Sequence, residues 1–106
     1  MAKYLFQGSY TQEGLRGLVK EGGSKRREAA EQVIQSGGGT LEAYYFGFGD
    51  NDFYVIADMA DNVSTTAVSL VVNVSGAVNV KTVVLLTPEE VDQTVKKTVD
   101  YRPPGH

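Results

Sequence analysis

The stretch from Gly39 to Met59 constrains this chain most, because it holds two aromatic and β-branched runs around a cluster of turn formers (GTLEAYYFGFGDNDFYVIADM). Such side chains fit a pleated, packed surface, so Leu41–Phe48 and Phe53–Met59 are predicted strands. The sequence Gly49-Asp50-Asn51-Asp52 between them predicts the turn of a hairpin. Adjacent residues within both strands are apolar, which indicates that both faces of the hairpin are packed.

The segment before the hairpin predicts a strand and an interrupted helix. Lys3–Tyr10 is the predicted first strand, and Thr11 is a suitable N-cap for the helix that follows. Because glycine weakens a helix, we expect a break near Gly22-Gly23, with Ser24 as the N-cap of the second part. The triplet Gly37-Gly38-Gly39 is predicted to end it, since glycine readily adopts the left-handed C-cap conformation.

The segment after the hairpin predicts a helix that begins at Asp61 and ends at Gly76. Its many valines and threonines would favour a strand by propensity alone. Helical periodicity overrides this, because five apolar residues share one face of such a helix and are predicted to point inward. These residues are Val63, Ala67, Leu70, Val71 and Val74.

The last part of the chain predicts a strand and a short helix. Ala77–Leu86 is the predicted fourth strand. The sequence Thr87-Pro88-Glu89-Glu90 indicates a helix start with a capping box. We expect Val91, Val95 and Val99 to face inward, and residues 99–106 to form an extended tail.

This order of elements predicts an α+β, ferredoxin-like βαββαβ domain with an extra C-terminal helix and a four-stranded antiparallel sheet. Residues 1–106 form a single domain by this interpretation. The helices cover one face of such a sheet, and the apolar residues on the other face then need a cover of their own. We therefore expect a homodimer, or a higher oligomer built from dimers, that joins two sheets into a dimeric α+β barrel.

Composition excludes several classes of function. The net charge of −3 and the single basic cluster, Lys25-Arg26-Arg27, do not fit a nucleic-acid binder, and the cluster is interpreted as a solvated helix face. The chain has no cysteine, and its one histidine is His106 at the C-terminus. We therefore expect no metal and no cofactor. The sequence shows neither a signal peptide nor a membrane span, so the expected location is the cytoplasm.

The candidate ligand-binding residues lie on the predicted strands. A tyrosine hydroxyl can bind an oxyanion, and a lysine within an apolar strand can act as a base. The alternative is that each tyrosine packs its ring and finds one hydrogen bond, and that the lysine protects an edge strand. The candidates are Tyr4, Phe6, Tyr44, Phe46, Tyr54 and Lys81, without an assigned catalytic role.

Nearly the whole chain resembles the GYD-domain family of small, mostly bacterial proteins. The resemblance is carried by KYLFQGSYTQEGLRGLVKEGG, GGTLEAYYFGFGDNDFYVIADM, SGAVNVKTVVLLTPEEVD and the YRPPG tail. It implies a ferredoxin-like protomer and a two-sheet dimer, and little about activity. Asn51 stands where the Gly-Tyr-Asp element of the family implies a tyrosine, and turn geometry explains Gly49 and Asp52 without a substrate.

Three functions remain open from the sequence. The favoured one is a homodimer that binds a small apolar or aromatic ligand between the sheet and the helices, with walls from the first three strands and from Leu15–Gly23. The second is a cofactor-independent enzyme, resembling a monooxygenase or an isomerase. The third is a purely structural or accessory subunit, which a solid core without a cavity would favour.

Overall fold

The computed structural model describes residues 1–106 and confirms an α+β chain with a four-stranded antiparallel open sheet and four helices, compatible with a ferredoxin-like fold. The elements are β1 Ala2–Tyr10, α1 Gln12–Glu21, α2 Gly23–Ser36, β2 Thr40–Phe46, β3 Phe53–Met59, α3 Asn62–Val74, β4 Val78–Leu85 and α4 Pro88–Thr94. The strand order is β2-β3-β1-β4, so β1 and β3 are central and β2 and β4 are edges.

The break predicted near Gly22-Gly23 separates α1 from α2. Gly22 adopts φ of 87°, a conformation that residues with a side chain rarely take. Ser24 as the N-cap of α2 is wrong, because Gly22 holds that position and the helix begins without a side-chain cap. At the other end, Gly38 has φ of 84°, and the Gly39 N–H donates to the Ile34 carbonyl oxygen at 2.9 Å. This arrangement is the predicted glycine C-cap.

Thr11 caps α1 as predicted and also ties that helix to the loop before β4. Its hydroxyl oxygen accepts the Gly14 N–H at 3.2 Å and lies 2.9 Å from the Gly76 carbonyl oxygen, to which it donates. The Thr11 N–H donates to the Ala77 carbonyl oxygen at 3.0 Å. One residue therefore fixes both the start of α1 and its position against the end of the sheet.

We expect Thr11→Val to lower the free energy of unfolding by about 1–2 kcal/mol, because valine keeps the shape but loses the cap and the bond to Gly76. Urea denaturation followed by circular dichroism measures the change. Thr11→Ser retains the hydroxyl and is the control, with a smaller expected loss. Equal losses in the two variants would show that the hydroxyl contributes nothing.

The hairpin turn differs in length from its prediction. β2 ends at Phe46 rather than Phe48, since the Gly47 N–H already donates to the Asp52 carbonyl oxygen at 3.0 Å and closes the hairpin. Phe48 lies in the turn with φ of 50°. The Asp52 carboxylate accepts the Tyr10 N–H at 2.9 Å, so this residue has the structural turn role expected for it.

One face of the sheet packs against the helices and forms the core. Burial alternates along β1 and β3, as a strand with one covered face requires. The buried apolar residues are Tyr4, Phe6, Tyr10, Ile34, Leu41, Phe53, Val55, Ala57, Met59, Val68 and Val78. A bulge between Leu41 and Ala43 shifts the register of β2, so that Tyr44 and Phe46 also point to this face.

The opposite, open face of the sheet is mixed rather than wholly apolar. One row across all four strands is apolar and consists of Ala43, Ile56, Leu5 and Val83, which are paired in register. The next row is polar and consists of Tyr45, Tyr54, Gln7 and Lys81. On the other side, Lys3 forms ion pairs with Glu42 and Asp58. The apolar part of the open face is therefore a single band between polar rows.

The inward face predicted for α3 is wrong, although the helix itself and its Asp61 N-cap are confirmed. Thr65 and Val68 are the buried residues, whereas Val63 and Val74 are 80% and 82% exposed. The five apolar residues do share one face, but the side that packs carries Thr65, Ser69 and Asn73, so the spacing of apolar residues could not show which side is buried. Asn73 helps to fix that side, because its side-chain oxygen accepts the Val80 N–H at 2.8 Å and holds the helix against β4.

The inward orientation predicted for the valines of α4 is also wrong. The capping box at Thr87 is present, but the helix ends at Thr94 and Val91, Val95 and Val99 are exposed. The Cα radius of gyration is 16.7 Å, against about 13 Å for a compact domain of this length. The larger value fits a C-terminal segment that extends beyond the sheet edge, where no element of the same chain is available to pack on it.

Candidate functional site

A cavity of about 360 Å³ lies between α2, α3 and the helix-facing side of the sheet. Fourteen of its 17 lining residues are hydrophobic, and the exceptions are Arg26, Ser69 and Ser75. Helix α2 contributes Ala29, Ala30, Val33 and Ile34, and the strands contribute Phe6, Tyr44, Phe53 and Val55 among others. The lining contains no aspartate and no glutamate, so its only formal charge is positive.

The strand wall of the cavity is aromatic, and the buried Tyr10 lies directly behind it. The rings of Tyr10 and Phe53 have centroids 5.2 Å apart, and those of Tyr44 and Phe53 are 6.4 Å apart. The hydroxyl oxygens of Tyr10 and Tyr44 are hydrogen-bonded at 3.0 Å. Tyr10 is buried, so this pair belongs to the interior of the protein.

The environment of Tyr44 keeps its phenol protonated. Burial raises the pKa of Tyr44 most, the hydrogen bond with Tyr10 raises it further, and the positive charge of Arg26 opposes the rise. The net pKa lies well above the usual value for tyrosine. At neutral pH the group therefore acts as a hydrogen-bond donor or acceptor and not as a base.

Arg26 is the only charged residue that lines the cavity. It lies in the first turns of α2 and is half-buried. Its Nε atom is buried and has no hydrogen-bond partner. Most buried polar groups in proteins are hydrogen-bonded, so a donor left free beside an apolar cavity is a feature that needs a reason.

Of the six candidate site residues, Phe6 and Tyr44 line the cavity. Tyr4 is buried in the core, where its hydroxyl donates to the Asn62 side-chain oxygen. Phe46 lies beside the cavity: its ring is 5.0 Å from that of Tyr44, and it occupies the space that a side chain at Gly23 would fill. These four residues share the helix-facing side of the sheet.

Tyr54 and Lys81 lie on the open face of the sheet, in the polar row with Gln7. They cannot contact a molecule held in this cavity, because the sheet lies between. Lys81 is exposed on the edge strand β4, the position where a lysine discourages sheet-to-sheet aggregation. The structure thus places four of the six candidate residues on the helix-facing side of the sheet and the other two, Tyr54 and Lys81, on the opposite side.

Two residues of the cavity region were missed from the sequence, and each left a signal there. Arg26 was interpreted as part of a solvated basic face, yet it precedes Ala29, Ala30 and Val33 by the spacing of one helical face. Tyr10 shares the strand parity of Phe6 and therefore points to the same side of the sheet. The walls also differ from expectation, because α3 and the middle of α2 contribute them and Leu15–Gly23 does not.

No group of three or more His, Cys, Asp or Glu side chains is placed to hold a metal ion. None of the helices has the length and apolar character needed to cross a membrane.

Comparison with known proteins agrees with the resemblance seen in the sequence. A family model described as GYD domain matches residues 4–95, which include every residue of the cavity wall and all of the sheet except the first two residues of β1. None of the curated proteins matches the chain.

Proposed function

The chain belongs to the GYD domain family, and we propose that it binds a small apolar or aromatic ligand in the cavity between α2, α3 and the sheet. The observation that carries this proposal is the cavity of about 360 Å³ itself. Side chains normally fill the space between helices and the sheet they cover, so an apolar cleft of this size between α2 and α3 is available to a ligand. Ligand sites are typically apolar cavities of roughly this size with a few polar groups.

The polar groups of the wall support binding rather than proton abstraction. A protonated Tyr44 can hydrogen-bond a phenolic or carbonyl oxygen of a ligand, and Ser69 offers a further hydroxyl, whereas the Ser75 hydroxyl already bonds to Val72 and Ala77. No carboxylate or histidine lines the cavity to act as a general base. The geometry therefore favours a binding protein over the cofactor-independent enzyme. A mutation that fills the cavity tests whether the protein binds a ligand or is only a structural subunit.

We expect Ala30→Leu to abolish ligand binding, because Ala30 lines the cavity on α2 and the larger side chain occupies its space. The measurement is the shift in melting temperature that 2-naphthol and 1,4-naphthoquinone produce over a concentration series. A ligand that binds only the folded state raises that temperature progressively. The wild type should show the shift, and Ala30→Leu should show none.

Ala67→Leu is the matched control, since it makes the same change on the exposed side of α3, outside this cavity. It should retain the full ligand-induced shift. If neither probe stabilises the wild type, or if Ala30→Leu responds as the wild type does, the cavity is not a ligand site. The structural-subunit interpretation would then be preferred.

We also propose that the protein forms a homodimer through the open face of its sheet. The support is the apolar row of Leu5, Ile56, Val83 and Ala43, which no helix of the chain covers. A two-fold axis over this row would set it against itself and bury it in both copies. The exposed valines of α4 offer each copy a second apolar surface at the rim. A cytoplasmic location completes the proposal, supported by the lack of cysteine.

A further inference from the structure

We propose that the ligand of this cavity is an organic anion whose carboxylate pairs with Arg26 while its apolar body fills the space between α2 and α3. This inference rests on the proposed function and adds the chemical class of the ligand.

Arg26 has no ion-pair partner within the chain. The ion pairs of the chain are Lys3–Glu42, Lys3–Asp58 and Arg27–Glu31, so no carboxylate of the protein pairs with Arg26. Its buried Nε has no hydrogen-bond partner. A guanidinium presents Nε and one Nη as parallel donors, which match the two oxygens of a carboxylate. Because Nε itself is closed to solvent, an anion in the cavity would pair with the two terminal Nη groups, which present a second pair of parallel donors.

The tyrosine pair has one hydroxyl hydrogen that no protein group accepts. Tyr10 and Tyr44 share one hydrogen bond between their hydroxyls, at 3.0 Å, and neither hydroxyl bonds to any other protein group. Two hydroxyls contain two hydrogens, and one such bond uses only one of them. When Tyr10 is the donor in that bond, the Tyr44 hydrogen is free, and Tyr44 and Arg26 both line the cavity. In that arrangement both groups can donate to one negatively charged ligand.

The charge of the cavity lining also favours an anion. The cavity lining holds one cation and no anion, so an anionic ligand meets no like charge inside it. A cationic ligand would meet an unpaired guanidinium in an apolar environment, where charges interact strongly. The remaining walls are aliphatic and aromatic and fit an apolar body. An aromatic or branched aliphatic carboxylic acid combines both requirements.

Calorimetric titration with 2-naphthoate and its neutral amide, 2-naphthamide, tests the inference. The two probes share one ring system and differ in charge at the group that would face Arg26. The wild type should bind the acid about tenfold or more tightly than the amide, the ratio expected for a hydrogen-bonded charge. Arg26→Met should remove this preference by weakening the acid alone and leaving the amide unchanged.

Two further variants separate a specific role from a general effect. Arg26→Lys keeps the charge without the paired donors and should give an intermediate preference for the acid. Arg27→Met is the matched control, because Arg27 is exposed beside Arg26 and pairs only with Glu31. It should bind both probes as the wild type does.

The failures are distinguishable. Equal affinity for acid and amide in the wild type would overturn the anion inference and leave cavity binding intact, provided that Ala30→Leu still prevents binding of both probes. If neither probe binds the wild type, the proposed function fails and this inference fails with it. An acid preference that survives in Arg26→Met would assign the anion to another group.

Discussion

Gly14→Ala is expected to lower the free energy of unfolding by about 3 kcal/mol, the upper part of the range for overpacking a close contact. A Cβ atom at this position would lie 2.0 Å from the Ala77 carbonyl oxygen and 3.1 Å from the ring of Tyr10. The first of these atoms belongs to the backbone and cannot swing away as a side chain can. Either α1 or the start of β4 must move.

The loss extends beyond the contact itself. The same Ala77 carbonyl oxygen accepts the Thr11 N–H at 3.0 Å, so moving it also weakens the attachment of α1 to the sheet. Gly17→Ala is the matched control in the same helix, because nothing lies within 4 Å of a Cβ built there. It should raise stability by about 0.5–1 kcal/mol, since glycine disfavours helices. Urea denaturation measures the free energy of unfolding of both variants. A change of the same sign in both would contradict the close approach at Gly14.

The second large effect concerns assembly, and Leu5→Lys is expected to convert a dimer into monomers. Light scattering of the wild type at micromolar concentration should give twice the chain mass of 11.5 kDa. Leu5 lies in the middle of the apolar row on the open face, between Ile56 and Val83. A lysine there would bury an unpaired charge in the interface and raise the dissociation constant at least about a hundredfold.

The control for this variant is Val74→Lys, which makes a comparable change on the exposed side of α3. It should leave the dimer intact, and circular dichroism should show that both variants remain folded. A wild type that is monomeric would remove the dimer proposal. Dissociation by Val74→Lys instead of Leu5→Lys would place the interface on α3.

Local chemistry accounts for what the sequence predicted correctly. Thr11, Asp61 and Thr87 cap helices through bonds to residues three positions on, so their roles are readable from the chain alone. The strand Phe53–Met59 and the break at Gly22 are likewise local, since they depend on side-chain alternation and on one backbone conformation. The order of elements followed from these signals, and with it the α+β fold.

The candidate site was only partly predictable from the sequence. The face of the sheet to which a residue points decides whether it can line the cavity, and the sequence does not show that face. Strand parity groups Tyr4, Phe6, Tyr44 and Phe46 once the register is known, and the β2 bulge that sets this register gives no signal in the sequence. Tyr54 is a strand tyrosine like Tyr44, and Lys81 is a lysine within an apolar strand. Both nevertheless point to the open face of the sheet. Only the covering helices distinguish the two sides.

The sequence by itself therefore determined which elements form and in what order, because caps, glycines and alternation act over a few residues. The tertiary structure decided which face of each element is buried. Helix α3 buries the side with Thr65 and Val68, which the Asn73 bond to β4 helps to fix, and leaves the more apolar side with Val63 exposed. The tertiary structure also places Arg26 at the cavity, although the sequence predicted a solvated position for it. Burial is a relation between elements distant in the chain, so no local pattern could fix it.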